Sequence, residues 1–382
     1  MNKWPMVRIA DEFNLQMGKT PARDNPAYWG GDQNWAAIAD IARSGMYLSK
    51  TKETISQAAV DESGIKEVPP DTIVMSFKLS IGRTAITTSR IYTNEAVMAF
   101  LPRDAGAFDL HFLYHLFANR DWSEESNKAV KGITLNKATL KAARIPRPDI
   151  LEQRTISAIL DKLCGLIEKC DEQLERLNQL VKSRFVEMFG NGGKWSSERM
   201  NDLCDLITDG EHATPRRVEK GILLLSARNV HDHELKIDEV DYIDQAEYDR
   251  IAKRVVPMEG DVLLSCSGSV GRCCVVPKGM RFQMVRSVAL LRFKNMVLPK
   301  FAEYLICSPY VQRQIDKHKT ASSQANLFQG KIRQLEGFVP PLALQREFAA
   351  FVAKVDKLAF AVRQRRDLAR KMYRAKIQEY FG

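Results

Sequence analysis

The chain has 382 residues, 45% hydrophobic and 27% charged, which is enough apolar material for more than one core and too much length for a single compact unit. A formal charge of +10 and an isoelectric point near 9.2 point to a polyanionic partner, because Lys and Arg that release condensed counterions drive binding to nucleic acid. No run near 18 apolar residues occurs and the N-terminus lacks a signal-peptide core, so neither a membrane span nor secretion is expected, and a cytoplasmic location is.

In chain order, "WPMVRIADEF" (4–13) opens the first domain and "QMGKTP" (16–21) ends in a turn. "DNPAYWGG" (24–31) follows, and its Asn25-Pro26-Ala27-Tyr28 is one residue away from the Asn-Pro-Pro-Tyr loop with which amino-methyltransferases hold a flipped base. It raises a stand-alone adenine-specific DNA methyltransferase as the alternative function. That chemistry also needs a glycine-rich strand-to-helix turn to bring backbone close to S-adenosylmethionine. The nearest candidate, Ser267-Gly268-Ser269-Val270-Gly271, reads as a hairpin loop instead. "NWAAIADI" (34–41) reads as a buried strand and a polar turn. "PPDTIVMSFKLSIGRTAI" (69–86) reads as two apolar strands joined by Ser80-Ile81-Gly82-Arg83, with Asp71 a turn residue before a strand rather than a nuclease acid.

"IPRPDILEQR" (145–154) marks a boundary and opens a helix expected to reach about Met188. Leu160, Leu163, Ile167, Cys170, Leu174, Leu177 and Val181 alternate in steps of three and four, a heptad seam. At 1.5 Å per residue such a helix is about 57 Å long, more than one domain of this size needs.

The order then repeats at an offset of about 190. Trp195 answers Trp4, "DGEHATP" (209–215) answers "QMGKTP", and "LLSARNV" (224–230) answers "NWAAIADI". "EGDVLLSCSGSVGRCCVV" (259–276) answers the first hairpin, with Asp261 matched to Asp71. "VPPLALQREF" (339–348) opens a second long helix to about Tyr380, and the two helices end alike in "FVEMFG" and "IQEYFG". The second seam (Val352, Val355, Ala359, Val362, Arg366, Ala369, Tyr373) is weaker, with Arg366 snorkelling or marking a drift in register. The expected layout is α+β: two tandem mixed α/β domains at 1–148 and 191–340, and long helices at 149–190 and 341–382 that pair as an antiparallel coiled coil. A separate catalytic domain is not expected.

The series "WPMVRIADEF", "GKTP", "NPAYWGG", "NWAAIADI", "SIGR", "GITLNKATLKAARIPRP" and a Gln-Arg-led heptad helix, all written twice, resembles the specificity subunit of type I restriction-modification systems. The resemblance covers the whole chain, although the second copy lacks "YWGG". It implies a non-catalytic, DNA-binding subunit. Each target-recognition domain would read one half of a bipartite asymmetric sequence in double-stranded DNA. The helices would set half-site spacing and dock two modification (methyltransferase) subunits, with restriction subunits completing the nuclease. No cofactor is implied in this chain; S-adenosylmethionine, ATP and Mg are implied in the partners.

Loop cations, hydroxyls and amides are the candidate DNA contacts. In the first copy these are Lys19, Thr20, Lys78, Ser80, Arg83, Lys131 and Thr134. In the second they are Arg216, Arg217, Arg228, Asn229, Ser267, Ser269, Arg272, Lys319, Ser322 and Gln324. The seven cysteines have no C-x-x-C spacing and are expected to be reduced and buried, and neither they nor His231-Asp232-His233 have structural-zinc spacing. No catalytic or metal-ligating residue is expected.

Overall fold

The computed structural model describes residues 4–122, 127–129, 132–190, 192–320 and 325–382, with backbone alone for 127–129 and 132–134. Two compact units emerge: residues 1–171 with 364–382, and residues 172–363. The units cut across the four expected segments. Each long helix, Ile150–Phe189 and Leu342–Phe381, contributes its first part to the unit of the domain it follows and its last part to the other unit.

In the first unit, a five-stranded sheet is built around the hairpin of Ile73–Ser76 and Thr84–Thr87, with Val97–Pro102 and Phe13–Met17 beyond it and Tyr47–Leu48 at the far edge. A smaller sheet holds Trp29–Ala36 between Glu53–Ile55 and Tyr92–Thr93. The strands around the first hairpin are apolar on both faces because helices and the second sheet cover them, so Ile73, Val74, Met75 and Phe77 are all buried. In the second unit, the hairpin Val262–Ser265 with Cys273–Val275 lies beside Val288–Phe293 and Cys204–Asp209. A second four-stranded sheet there contains Ile222–Leu225.

The repeat extends to individual hydrogen bonds. Ala37 and Ser226 cap equivalent turns, each receiving its neighbour's side chain on the backbone N–H (Asp40 Oδ2 and Asn229 Oδ1, both at 2.9 Å). Gly18 and Gly210 sit where a Cβ would lie 2.2 Å from the Thr93 carbonyl and 2.3 Å from the Met284 carbonyl, so neither position has room for a side chain. Met6–Arg8 pairs with Arg144–Pro146, and Ser197–Arg199 with Glu336–Phe338, which returns each domain's end to its beginning at the foot of a long helix.

The two hairpin acids are not counterparts. The Asp71 N–H donates to Thr87, whereas the equivalent donor to Val276 is Gly260; Asp71 and Gly260 share the left-handed turn conformation (φ 55° and 87°). Asp261 is one residue further on, buried, and held bidentately by Arg292 at 2.8 Å with the Met258 N–H at 2.8 Å. The mismatch follows from chemistry: Asp tolerates the left-handed region, so it stands where the second copy uses glycine.

The helices run antiparallel. In the first unit Cys164 meets Tyr373, and seven residues later Asp171 meets Arg366 (3.0 Å), seven residues earlier on the partner helix, and Arg370 (3.2 Å). Arg366 is therefore the cross-helix partner of an acid. In the second unit Arg184 reaches Glu347 (2.8 Å), and Phe185 packs edge-on against Phe348. Leu160, Leu163, Cys170, Val181, Val352, Val355, Ala359 and Ala369 are buried, and Ile167, Leu174, Leu177 and Val362 are half-buried.

Candidate nucleic-acid interface

The two hairpin loops, residues 76–83 and 265–272, are one construction made twice. In the first, the buried Ser76 hydroxyl donates to the Ser80 carbonyl and accepts the Arg83 N–H (3.1 Å), while the Gly82 N–H donates to the Ser76 carbonyl (2.9 Å). In the second, the Ser265 hydroxyl donates to the Ser269 carbonyl (2.5 Å) and accepts the Arg272 N–H (3.0 Å), with the Gly271 N–H on the Ser265 carbonyl (3.0 Å). A serine at the strand end thus closes each loop by binding its far side, which holds the tip rigid above a buried base. The tips differ: Lys78-Leu79-Ser80 against Ser267-Gly268-Ser269.

The Asn25–Tyr28 stretch is a folded loop. Asn25 Oδ1 accepts the Ala27 N–H (3.1 Å) and opens the 3₁₀ turn Pro26–Tyr28. The Tyr28 hydroxyl donates to Glu62 (2.7 Å), and this bond, first among the causes, raises the phenol above its ordinary pKa. Trp29 donates to the Ala22 carbonyl (3.1 Å) and meets Trp35 edge to face, and the Arg23 guanidinium lies 3.9 Å from the Trp29 ring. These side chains pack the loop.

The candidate contacts divide by how their polar groups are used. Arg83 is exposed and, among the described residues, makes no ion pair; Lys78 lies 5.5 Å from the Phe77 ring; Ser80 and Ser269 stand exposed at the loop tips, and Arg272 is half-buried. Ser267 donates to Asn326. The other cations are tied down. Lys19 donates to the Ser63 carbonyl (2.5 Å), Lys319 to Asp316 (2.6 Å), Arg217 and Arg228 share Asp241 (2.9 and 2.8 Å), and Arg216 pairs with Asp244. The Thr20 hydroxyl is bound to Glu95. Asn229 corrects the sequence reading: it is buried, and its amide donates to the Lys236 (2.9 Å) and Glu239 (3.0 Å) carbonyls, so it braces its own loop. Lys131, Ser322, Gln324 and the Thr134 side chain lie outside the described residues.

Burial pushes the Cys204 and Cys266 thiols up to about 12 and Cys164 to about 11, so these sulfurs are held as thiols. All seven cysteines are free, and among the described residues no three His, Cys, Asp or Glu side chains gather as metal ligands.

A polar chain seats the first domain on its helices. Asn119 donates to the Tyr373 hydroxyl (2.9 Å), Tyr373 to His115 Nδ1 (3.1 Å), and His115 Nε2 to Asp161 (2.7 Å); His111 Nδ1 binds the other Asp161 oxygen (2.6 Å). This assigns His115 as the neutral Nε2–H tautomer. Burial lowers the His115 pKa against the Asp161 interactions that would raise it. A depressed histidine contributes stability that is complete above its unfolded value and lost as pH falls below about 6.5. Urea unfolding followed by amide exchange in the first unit should show this loss, and His115→Gln should flatten it. Tyr373→Phe leaves buried His115 Nδ1 without a donor and should cost about 1–3 kcal/mol; an unchanged unfolding midpoint would contradict the assigned chain.

Residues 1–179 match the family model for the type I restriction modification DNA specificity domain. The MjaIX type I restriction enzyme specificity subunit of Methanocaldococcus jannaschii is 30% identical over 208 residues, 53% of this chain and 48% of that one. The EcoprrI specificity subunit of Escherichia coli is 22% identical over 371 residues, 93% of this chain and 88% of that one. Residues 1–179 are thus similar to a type I DNA specificity domain, and nearly the whole chain is similar in sequence to a type I specificity subunit. The match spans about half the length of the first of these specificity subunits and most of the second. The same fold occurs in the type I system S subunit from M. genitalium, with a TM-score of 0.58 at 13% identity over 100% of this chain and 96% of that one. A structure concerned with complex assembly and conformational transition of the type I system gives 0.60 at 14% identity, covering 99% and 97%.

Sequence reasoning missed Ser76 and Ser265, which form the loops, and Leu79 and Phe328, which stand exposed beside them. A signal for the serines was present: both end an apolar strand seven residues before the matched Arg83 and Arg272.

Proposed function

We propose that each domain reads one half of a bipartite asymmetric DNA sequence, that the paired helices fix the separation of the halves, and that the chain itself catalyses nothing. The observation that carries this reading is the hairpin built twice with the same hydrogen bonds and different tips. A constant frame with variable ends is what two readers of unlike half-sites need, since the frame positions and the tip side chains discriminate. Arg83 and Arg272 flank the two tips as phosphate-holding cations. A rigid helix pair would relate the half-sites by a fixed spacing, as in dimeric DNA readers. Modification subunits docked on the helices would supply adenine flipping and methyl transfer from S-adenosylmethionine, and restriction subunits would supply ATP- and Mg-dependent cleavage.

The test is to purify the chain alone and together with its modification subunits, and to measure DNA binding by sequence, salt dependence and methyl transfer. The complex is expected to bind one bipartite sequence selectively, with affinity falling as salt rises, and the isolated chain to transfer no methyl group. Methyl transfer by the isolated chain would overturn the proposal in favour of the methyltransferase alternative. Binding by the complex without sequence preference would leave only a scaffold role.

A further inference from the structure

At one position in each copy a residue breaks the local rule that the other copy obeys, and both lie at the hairpin loops. In the first hairpin Leu79 adopts φ 61°, where the second hairpin has Gly268 at φ 72°. Glycine occupies this region freely and a side chain with a Cβ resists it. Leu79 gains no burial in return, being 87% exposed. In the second copy Phe328 precedes the helix Gln329–Gln334 with no side-chain cap, where the first copy has Asn136 capping Lys137–Ala142 through the N–H groups of Ala138 and Thr139, both at 2.9 Å. Phe328 is 63% exposed.

Phe328 belongs to the loop face of its domain. The segment before it is bonded to the hairpin, with the Gly268 N–H on the Ala325 carbonyl (3.1 Å), the Leu327 N–H on the Cys266 carbonyl (2.9 Å) and Ser267 on Asn326. It lines a cavity of about 600 Å³ together with Ser267, the exposed Arg286, and Asp209 and Glu211, whose charges are paired with Arg254 and Arg250. Leu79 has Lys78 beside it and Arg83 across the loop. Each domain therefore presents an exposed apolar side chain at its hairpin loop, with an exposed arginine nearby, Arg83 in the first and Arg286 in the second.

We propose that Leu79 and Phe328 are the apolar specificity-determining residues of the first and second half-sites, each entering a groove of the duplex and contacting base edges while the neighbouring cations hold phosphates. Apolar side chains discriminate bases through the thymine methyl group or by wedging between base steps. Local rules broken without a packing gain are expected where function imposes the residue. The inference rests on the proposed half-site reading.

The test exchanges the exceptions for the residues of the other copy. Leu79→Gly suits the left-handed backbone and Phe328→Asn supplies the cap found at Asn136, so both variants are expected to fold. In the complex with modification subunits, binding is compared between the cognate duplex and duplexes altered in one half-site. Leu79→Gly should lose about 10- to 100-fold of discrimination at the first half-site and none at the second, Phe328→Asn the reverse, and neither should change the salt dependence. Deoxyuridine in place of thymine, or 2-aminopurine fluorescence, then identifies a methyl contact or a wedge. Discrimination equal to wild type at the matching half-site in both variants would overturn this inference alone. Absence of selectivity in the wild-type complex would overturn it together with the reading beneath it.

Discussion

Phe185→Ala is expected to destabilise the second unit by about 3–5 kcal/mol, the range for removing a buried aromatic side chain from a core that cannot collapse around the space. Phe185 is 3% exposed. It stands between Phe189 on its own helix (5.1 Å between ring centres), Phe348 on the other long helix (5.3 Å), Phe301 of the helix Pro299–Cys307 (5.8 Å), Tyr304 (6.4 Å) and Phe338 at the strand returning from the domain (6.4 Å). Three separate elements meet on this ring, so no one of them can shift to fill the gap without losing contact with the others. Because the chain has two compact units, a single unfolding midpoint is the wrong readout. Amide exchange resolved by segment should quicken in residues 299–307 and 336–338 and remain at wild-type rates in the first unit. Phe185→Leu, which retains most of the volume, should cost about 1 kcal/mol. Equal exchange in Phe185→Ala and wild type would show that the ring does not join these elements.

That prediction could not have been made from the sequence, although the residue was in view. The matched endings "FVEMFG" and "IQEYFG" were legible as a repeat, but not where they bind. Phe189 packs edge-on to Phe301 at 5.0 Å, in the unit of the second copy, and Phe381 packs against Phe112 at 5.5 Å, in the unit of the first. Periodicity identifies an apolar face and is silent about which surface covers it. The hairpins were readable because apolar runs and small polar loops are local signals, and the long helices because a heptad pattern persists over many turns. What escaped depended on side-chain geometry. Asn229 looks like any loop amide until its donors are traced to Lys236 and Glu239. Asp71 and Asp261 align by letter but differ by one position in the turn, because aspartate can take the backbone conformation that the second copy gives to Gly260. Among the candidate contacts, charge alone did not separate Arg83, which has no acid partner among the described residues, from Arg217 and Arg228, whose charges are shared with Asp241.

The Gln of each "QR" pair shows the same limit and carries the second large effect. Gln153 and Gln345 are wholly buried one turn into the long helices. Gln153 accepts the Asp109 N–H (2.8 Å) and donates to the Ala107 (3.1 Å) and Pro148 (3.0 Å) carbonyls. Gln345 accepts the Leu298 N–H (2.8 Å) and donates to the Met296 (3.0 Å) and Pro340 (2.8 Å) carbonyls. One amide thus satisfies three backbone groups from two segments, the loop before a domain helix and the proline junction before the long helix. Only glutamine offers two donors and one acceptor at this reach. Gln153→Ala or Gln345→Ala leaves those groups buried and unpaired, with an expected cost of about 3 kcal/mol each. Glutamate should be worse than alanine, because its carboxylate would face two carbonyl oxygens in an apolar setting. The sites lie in different units, so the effects should separate, Gln153 variants quickening exchange around 107–112 and Gln345 variants around 296–301. If glutamate were tolerated as well as alanine, the assigned donor pattern would be wrong. If both variants folded normally but lost DNA selectivity in the matching half-site, the two amides would be holding the recognition domains in position on their helices rather than holding them folded.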